Sequence, residues 1–288
     1  MIKSHAKYYV LIGTFFTSLS SIIIRLSSAP SLVISSYRML ITVIILVLPI
    51  MIKHRGELKK ISKKDLLLCT ISGVFLALHF AFWIASISMT TIASSTVLVS
   101  CSPIFVAIIS YFLFKEKLSK KALFSICLAF CGTIIIALEG KSSVIGDVTL
   151  GNAMAFLGGI FIAGYFIIGN IVRKRVDAMP YVFIVYTVST VVLFALCIAT
   201  KTPLYPYSIK EFVLFFALAV FCSILGHTIY NWMTQYVTAT FISSSTLCEP
   251  VFASIMALFI FKEFPSINTL IGGVIILVGI FLFTTEKK

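Results

Sequence analysis

Charged side chains are scarce in this sequence: they make up 11% of its 288 residues, whereas 60% of the residues are hydrophobic. Acidic residues are fewest, with ten Asp and Glu against 23 Lys and Arg. The mean hydropathy is +1.11, and a soluble domain cannot hide so much apolar surface from water. The composition therefore excludes an ordinary soluble protein and predicts a polytopic membrane protein.

Signatures of catalysis are also missing. We find no His-Glu-x-x-His, no Gly-x-Ser-x-Gly, no phosphate-binding Gly-x-x-x-x-Gly-Lys and no dinucleotide-binding motif. The seven cysteines lie in apolar runs and form no Cys-x-x-Cys pair. We therefore expect a protein that is not an enzyme and that has no cofactor, no metal site and no disulfide framework.

The excess of positive charge has a specific distribution. Lys and Arg lie in short clusters between apolar runs, which is typical of cytoplasmic loops, so we do not expect nucleic-acid binding. If the N-terminus is cytoplasmic, seventeen of these residues fall on the cytoplasmic side and five on the outer side. Positive residues stay inside, so both termini are predicted to be cytoplasmic. The lack of a cleavable targeting signal favours a bacterial cell membrane.

Ten apolar stretches are each long enough to cross a bilayer, which takes about 20 residues. They predict an all-α fold with ten transmembrane helices and short connections. The predicted spans are 8–26, 32–52, 66–87, 92–114, 121–138, 150–169, 180–200, 211–233, 239–261 and 267–284.

Identical residues recur at one fixed separation of 147 positions. The pairs are Pro103 and Pro250, Phe105 and Phe252, Phe112 and Phe259, Phe114 and Phe261, Lys115-Glu116 and Lys262-Glu263, and Gly132 and Gly279. Each half holds five spans, an odd number, so the second half must insert in the opposite direction to the first. We therefore predict two inverted five-helix repeats, over 1–143 and 144–288. Such repeats are typical of transporters that bind solute at the repeat interface.

The stretch that begins at Glu249-Pro250 places a carboxylate and a proline side by side in the ninth span. An ionisable group in a membrane helix costs about 2.5–3.5 kcal/mol and is a functional candidate for that reason. Proline leaves a backbone carbonyl without its helical partner, so Pro103 and Pro250 are candidate hinge or gating residues. The alternative is a kinked packing helix in which a protonated Glu249 contacts a neighbour.

Aromatic and polar residues share one face in two of the spans. His79 and Trp83 are four residues apart in the third span, and His227, Tyr230 and Asn231 lie close together in the eighth. Trp83 and Tyr230 are again 147 positions apart, so their rings could face each other across a solute cavity. The alternative is a set of interfacial aromatics, with histidines that bond to neighbouring helices.

Three further residues are candidates, and two of them, Arg38 and Tyr165, have two interpretations each. Arg38 lies six residues into the second span, about 9 Å deep, where it either snorkels to the interface or provides an anion-binding or gating charge. Tyr165 lies in the glycine-rich sixth span, which is either a moving, cavity-lining helix or a tightly packed one. Arg25 ends the first span and is interpreted as an interfacial anchor.

The chain resembles the EamA-type members of the drug/metabolite transporter superfamily over nearly its whole length. The resemblance rests on Ser102-Pro103-Ile104-Phe105 running to Phe114-Lys115-Glu116, on Glu249-Pro250-Val251-Phe252 running to Phe261-Lys262-Glu263, on Tyr37-Arg38, and on Trp83 through Ser94-Ser95. It implies ten helices in two inverted repeats, with helices one, three, four, six, eight and nine around a central cavity. It also implies signature roles for Arg38, Glu249 and Pro250, whereas His79 and His227 belong to no family pattern.

The resemblance implies a transporter, and family members mostly export amino acids, related metabolites or toxic organic solutes. The first hypothesis is therefore a secondary-active or facilitative exporter of a small amphipathic metabolite, which works by alternating access. Efflux of cationic or aromatic drugs is a second hypothesis, and an intramembrane enzyme or scaffold subunit is a third. The expected partners are a small-molecule solute and the lipid bilayer, and the sequence leaves a homodimer open.

Overall fold

The protein is described by a computed structural model that covers residues 2–114, 119–137, 147–234, 236–237, 242, 245–246 and 248–284. Over these residues the regular structure is helical throughout, without a β-strand. The helices are α1 Ile2–Leu26, α2 Ser31–Lys60, α3 Lys63–Met89, α4 Ile92–Val99, α5 Ser102–Phe114, α6 Lys120–Ala137, α7 Val148–Val172, α8 Ala178–Ala199, α9 Ile209–Met233, α10 Cys248–Phe261 and α11 Ile267–Thr284.

Six helices in the described part of the chain are long and apolar enough to cross a bilayer. They are α1 from Tyr8, α2, α3, α7, α8 and α9, and shorter apolar helices occur at Ile92–Val106, Cys248–Phe261 and Ile267–Gly279. Large apolar side chains stay exposed on these helices, including Ile198 and Phe259, each 71% exposed. Water would penalise such surfaces, whereas lipid solvates them. The fold is therefore all-helical with several membrane-spanning helices, as the composition predicts.

The ends of several helices differ from the predicted spans. The helix α2 continues to Lys60, beyond the predicted end at residue 52, through a π-helical turn at Ile50–His54 that follows Pro49. Its last residues are charged, so this end of the helix is suited to water outside the membrane. The predicted start of the ninth span at residue 239 and the Lys115-Glu116 motif lie outside the described residues.

Short polar residues start three of the helices. The side chain of Ser62 accepts a hydrogen bond from the Asp65 amide at the start of α3, and Thr91 accepts one from Ser94 at the start of α4. Asp147 accepts one from the Leu150 amide at the start of α7. Each cap satisfies an amide that has no partner within its helix, so each helix begins where the sequence provides a cap.

The two prolines of the repeat lie at the beginnings of helices and do not kink their middles. Pro103 is the second residue of α5, and Pro250 is the third residue of α10. Proline fits in the first turn, where its missing N–H would have no intrahelical acceptor. The predicted span 92–114 is accordingly divided into α4 and α5, which are separated by Ser100 and Cys101. The helix is therefore interrupted just before Pro103.

Small residues allow the central helices to approach one another closely. The helix α3 packs along α7, and α1 packs along α9. A Cβ added to Gly226 of α9 would lie 2.6 Å from the Thr17 side chain of α1, and one added to Gly158 of α7 would lie 3.2 Å from Trp83 of α3. These two helix pairs bring the predicted site residues of α3 and α9 to the centre of the molecule.

Candidate functional site

A central cavity lies where α1, α3, α7, α9, α10 and the α4–α5 break meet. Its wall contains five of the predicted binding residues together with a serine from the start of α5: His79, Trp83, Ser102, His227, Tyr230 and Glu249. The space open to the centre of a water-sized sphere is about 40 Å³, which is room for a few waters. A solute larger than these waters would require the surrounding helices to move apart.

Glu249 lies in this wall and is held by two hydroxyl groups from other helices. Its Oε1 atom is 2.6 Å from the Thr17 hydroxyl of α1 and 3.0 Å from the Tyr230 hydroxyl of α9. Both hydroxyls can donate to an ionised carboxylate, which partly replaces the water lost on burial. The carboxylate therefore links three helices at the cavity and keeps accepting capacity for a further donor.

Trp83 and His79 form a stacked pair on α3. Their ring centroids are 5.7 Å apart and the rings are nearly parallel, at 9°. The Nδ1 atom of His79 lies 2.9 Å from the carbonyl oxygen of Gly158, so this nitrogen carries the proton that is donated to the carbonyl. This contact fixes the imidazole ring and presents a flat aromatic surface to the cavity.

The predicted residues of α9 divide between the cavity and the packing behind it. His227 and Tyr230 line the cavity. Asn231 does not: its amide nitrogen lies 2.5 Å from the Tyr165 hydroxyl and 2.7 Å from the carbonyl oxygen of His227. Tyr165 is likewise buried away from the cavity, with 1% of its surface exposed. In this conformation Asn231 and Tyr165 join α9 to α7, and their contact with solute stays a prediction.

Arg38 does not snorkel to the interface. It is fully buried, and its Nε atom donates to the Ser223 hydroxyl of α9 at 2.8 Å. The guanidinium carbon lies 4.3 Å from the centroid of the Phe80 ring. The side chain turns inward because α2 packs against α9 along this stretch. Arg38 is therefore placed one layer behind the cavity wall, not in it.

Arg25 has a more specific role in the fold than that of an interfacial anchor. Its Nη1 atom lies 3.3 Å from Glu263 Oε2, and its Nη2 atom donates to the carbonyl oxygen of Thr90 at 2.9 Å. The other oxygen of Glu263 accepts a hydrogen bond from the Ile92 amide at 2.5 Å. This network joins the end of α1, the α3–α4 connection and the segment after α10. We call these four residues the Arg25–Glu263 network.

A second ion pair ties the opposite end of α3. Arg175, in the connection between α7 and α8, donates from Nε and Nη2 to Asp65 Oδ1, at 3.0 and 2.6 Å. The hydrogen bond to this carboxylate raises the pKa of the exposed Arg175. The pair fixes the start of α3 against the α7–α8 connection, at the opposite end of α3 from the Arg25–Glu263 network.

The resemblance implied that the first helix lines the cavity, but sequence reasoning named none of its residues. Thr17 and Ser20 of α1 line the cavity, and Thr14 also bonds to Tyr230. Thr14, Thr17 and Ser21 are buried at a spacing of three and four residues, so a polar stripe on an apolar helix was the available signal. Among the described residues, no three His, Cys, Asp or Glu side chains are grouped closely enough to hold a metal ion.

Apolar helices around a cavity of aromatic, hydroxyl and carboxylate side chains are typical of one class of protein, the multi-pass membrane protein with an internal cavity. The chain belongs to the EamA-like transporter family, which matches residues 6–138 and again residues 149–285. The resemblance described from the motifs is thereby confirmed. The protein is a transporter and not an enzyme, and as such it binds a small solute within a lipid bilayer.

Several curated proteins are similar to the chain. An uncharacterized transporter of Archaeoglobus fulgidus is 24% identical over 220 residues, which cover 75% of this chain and 74% of the relative. The uncharacterized transporter YetK of Bacillus subtilis is 28% identical, over 90% of this chain and 80% of the relative. The pseudopaline exporter CntI of Pseudomonas aeruginosa is 22% identical, over 79% and 78%. A crystal structure at 16% identity matches with a TM-score of 0.66, over 97% of this chain and 96% of the other, which shows a shared fold.

Proposed function

We propose that the protein is a secondary-active or facilitative carrier that exports a small amphipathic metabolite by alternating access to the central cavity. The observation that carries the proposal is Glu249, a carboxylate bound by Thr17 and Tyr230 in a cavity that is also lined by aromatic side chains. Aromatic surfaces bind the apolar part of a solute, and a carboxylate binds a cationic group or a proton.

The proposed architecture is ten membrane crossings in two inverted five-helix repeats. The two separate family matches, over 6–138 and 149–285, support it. The helix packing supports it as well, because α3 packs on α7 and α9 packs on α1. In the proposed repeats α1 corresponds to α7 and α3 corresponds to α9. A twofold axis between the repeats would therefore carry one of these helix pairs onto the other. The close contacts follow the same exchange: Trp83 lies against Gly158, and Tyr230 lies against Gly13.

The residue pairs in the cavity wall also support a site between two repeats. Its wall contains both members of three residue pairs that are 147 positions apart: Trp83 and Tyr230, Val99 and Thr246, and Ser102 and Glu249. A site on a pseudo-twofold axis can be reached equally from either side of the membrane. The pair Ser102 and Glu249 differs in charge, because only Glu249 has a carboxylate. This carboxylate gives the site one cation-binding or proton-binding group.

The Arg25–Glu263 network supports a state that is closed to the outside. With both termini in the cytoplasm, as the charge distribution predicts, the end of α1 and the α3–α4 connection face outward. An ion pair and two backbone hydrogen bonds then hold this outer end together. We propose a cell-membrane location, as for a bacterial exporter, with Pro103 and Pro250 as the positions at which α5 and α10 pivot.

Efflux of cationic drugs is a second candidate, favoured by one specific feature. The stacked rings of His79 and Trp83 lie in the same wall as the Glu249 carboxylate, and aromatic faces with a nearby acid are a common way to bind organic cations. The similar protein CntI is named as an exporter of pseudopaline, and this name supports export of a metabolite by this chain.

The proposed function is tested by a solute screen followed by flux measurements. Purified protein is heated with amino acids, nucleosides or quaternary amines, and a bound solute is expected to raise the unfolding midpoint in proportion to its occupancy. The stabilising solute is then expected to cross proteoliposomes with saturable kinetics. A protein that no solute stabilises, and that carries none of them faster than empty liposomes, is not a carrier of these classes.

A further inference from the structure

Arg38 carries two hydrogen-bonding atoms that nothing in the described structure satisfies. Its side chain has 0% exposure, and only Nε is bonded, to the Ser223 hydroxyl. Its Nη1 and Nη2 atoms are both buried and have no hydrogen-bond partner among the described residues. Buried polar atoms are nearly always bonded, so two unsatisfied atoms on one guanidinium need an explanation.

The charge on this group makes the missing partner more significant. Arginine stays protonated in proteins, so its burial removes a full positive charge from water. The Phe80 ring offers partial compensation through a cation–π contact at 4.3 Å. The three ion pairs found among the described residues involve Arg25, His54 and Arg175, and none involves Arg38.

The neighbours of Arg38 connect it to the cavity. The Phe80 ring lies 5.1 Å from the His79 ring and 5.6 Å from the His227 ring, measured between centroids, and both histidines line the cavity. The indole Nε1 of Trp83 and the Nδ1 of His227 are also buried without a partner in the described structure. The unsatisfied atoms of Arg38 and Trp83 are all donors, so the group that would satisfy them must accept hydrogen bonds.

We propose that Arg38 is a binding site for a small monovalent anion, which enters from the cavity past Phe80. A carboxylate fits best, because its two oxygens match the two parallel donors of the guanidinium fork. The carboxylate belongs either to the transported solute or to a free anion from solution. In the first case the inference rests on the proposed function and restricts it: the solute carries an anionic end for Arg38 as well as a group for Glu249.

The test uses the purified full-length protein in detergent and three probes at matched ionic strength. Acetate supplies a carboxylate, acetamide is its neutral counterpart of equal shape, and chloride represents a free anion. Acetate is expected to raise the unfolding midpoint saturably, whereas acetamide leaves it unchanged. Chloride that competes with acetate shows that the site accepts small anions in general, and acetate binding that chloride does not displace shows that the site selects a carboxylate. Equal effects of acetate and acetamide, or no saturable effect, would overturn the proposal.

Two variants of Arg38 and one control locate the effect. Arg38→Gln is expected to weaken the apparent acetate affinity about tenfold or more, because charge-assisted hydrogen bonds are lost. Arg38→Lys keeps the charge without the planar fork, so it is expected to weaken acetate binding while still folding. Arg175→Gln removes an arginine outside the cavity and is expected to bind acetate as the wild type does. Unchanged binding in either Arg38 variant contradicts the site.

The result can be separated from that of the proposed function. Acetate binding needs no transport. A protein that binds acetate through Arg38 but carries no solute would therefore support the anion site and contradict the proposed transport function. If the Arg38→Lys variant transports solute with unchanged kinetics and the wild type shows no response to acetate, the carrier function is supported and the anion site is contradicted.

Discussion

Replacing Glu249 with glutamine is expected to reduce solute flux at least about tenfold. The amide oxygen can still accept hydrogen bonds from Thr17 and Tyr230, which lie 2.6 and 3.0 Å from the carboxylate oxygen in the wild type. The charge is lost, and hydrogen bonds to charged groups are worth about 1.5–3 kcal/mol, or one to two powers of ten in binding. The measurement is the initial rate of solute uptake into proteoliposomes at several pH values.

The control for this variant is Glu57→Gln. Glu57 lies near the end of α2, where its carboxylate contacts His54 at 2.8 Å, away from the cavity. We expect its flux to equal that of the wild type. Flux in Glu249→Gln that matches the wild type, with the same pH dependence, would remove Glu249 from the transport mechanism.

Replacing Glu263 with glutamine is expected to open the proposed outer end of the protein. The variant can still accept from the Ile92 amide, but it no longer neutralises Arg25, whose side chain is 22% exposed. Removing one partner leaves the partly buried guanidinium of Arg25 less well satisfied, at a cost of about 1–3 kcal/mol. The closed state should therefore lose several-fold or more of its population relative to the open state.

The opening is measured with a cysteine at Ser102, in a background without the seven natural cysteines. Ser102 is 3% exposed and lines the cavity, so a membrane-impermeant thiol reagent added outside reports access to the cavity. Glu263→Gln is expected to raise the labelling rate several-fold. Ser88→Cys, at an exposed position near the end of α3, should be labelled equally in both backgrounds. An unchanged rate at Ser102→Cys would show that the network does not close the cavity.

Much of the cavity wall could be predicted because its residues follow local rules. His79 and Trp83 are one helical turn apart, so any helix brings them together, and in the structure their rings stack. The separation of 147 positions links Trp83 to Tyr230 and also Ser102 to Glu249, and all four line the cavity. Membrane-spanning helices were predictable for a similar reason, since length and hydropathy are properties of a single segment.

The contacts that could not be predicted depend on how distant segments pack. Arg25 and Glu263 are far apart in sequence, and neither residue alone indicates that α1 ends beside the segment after α10. The inward orientation of the Arg38 side chain could not be predicted, because snorkelling and burial differ only in which helix lies alongside α2. Asn231 shares a helix with the cavity residue Tyr230, yet it bonds to Tyr165 behind the wall, because neighbouring positions on a helix point in different directions.

The central claim is that solute occupies the cavity between the two repeats, beside Glu249 and Ser102. It is tested most directly by labelling Ser102→Cys with and without the transported solute, with Ser88→Cys as the reference position. Solute is expected to slow labelling at Ser102→Cys in proportion to its occupancy and to leave Ser88→Cys unaffected. Solute that is transported at full rate while Ser102→Cys reacts as fast as before would place the transport pathway elsewhere in the protein.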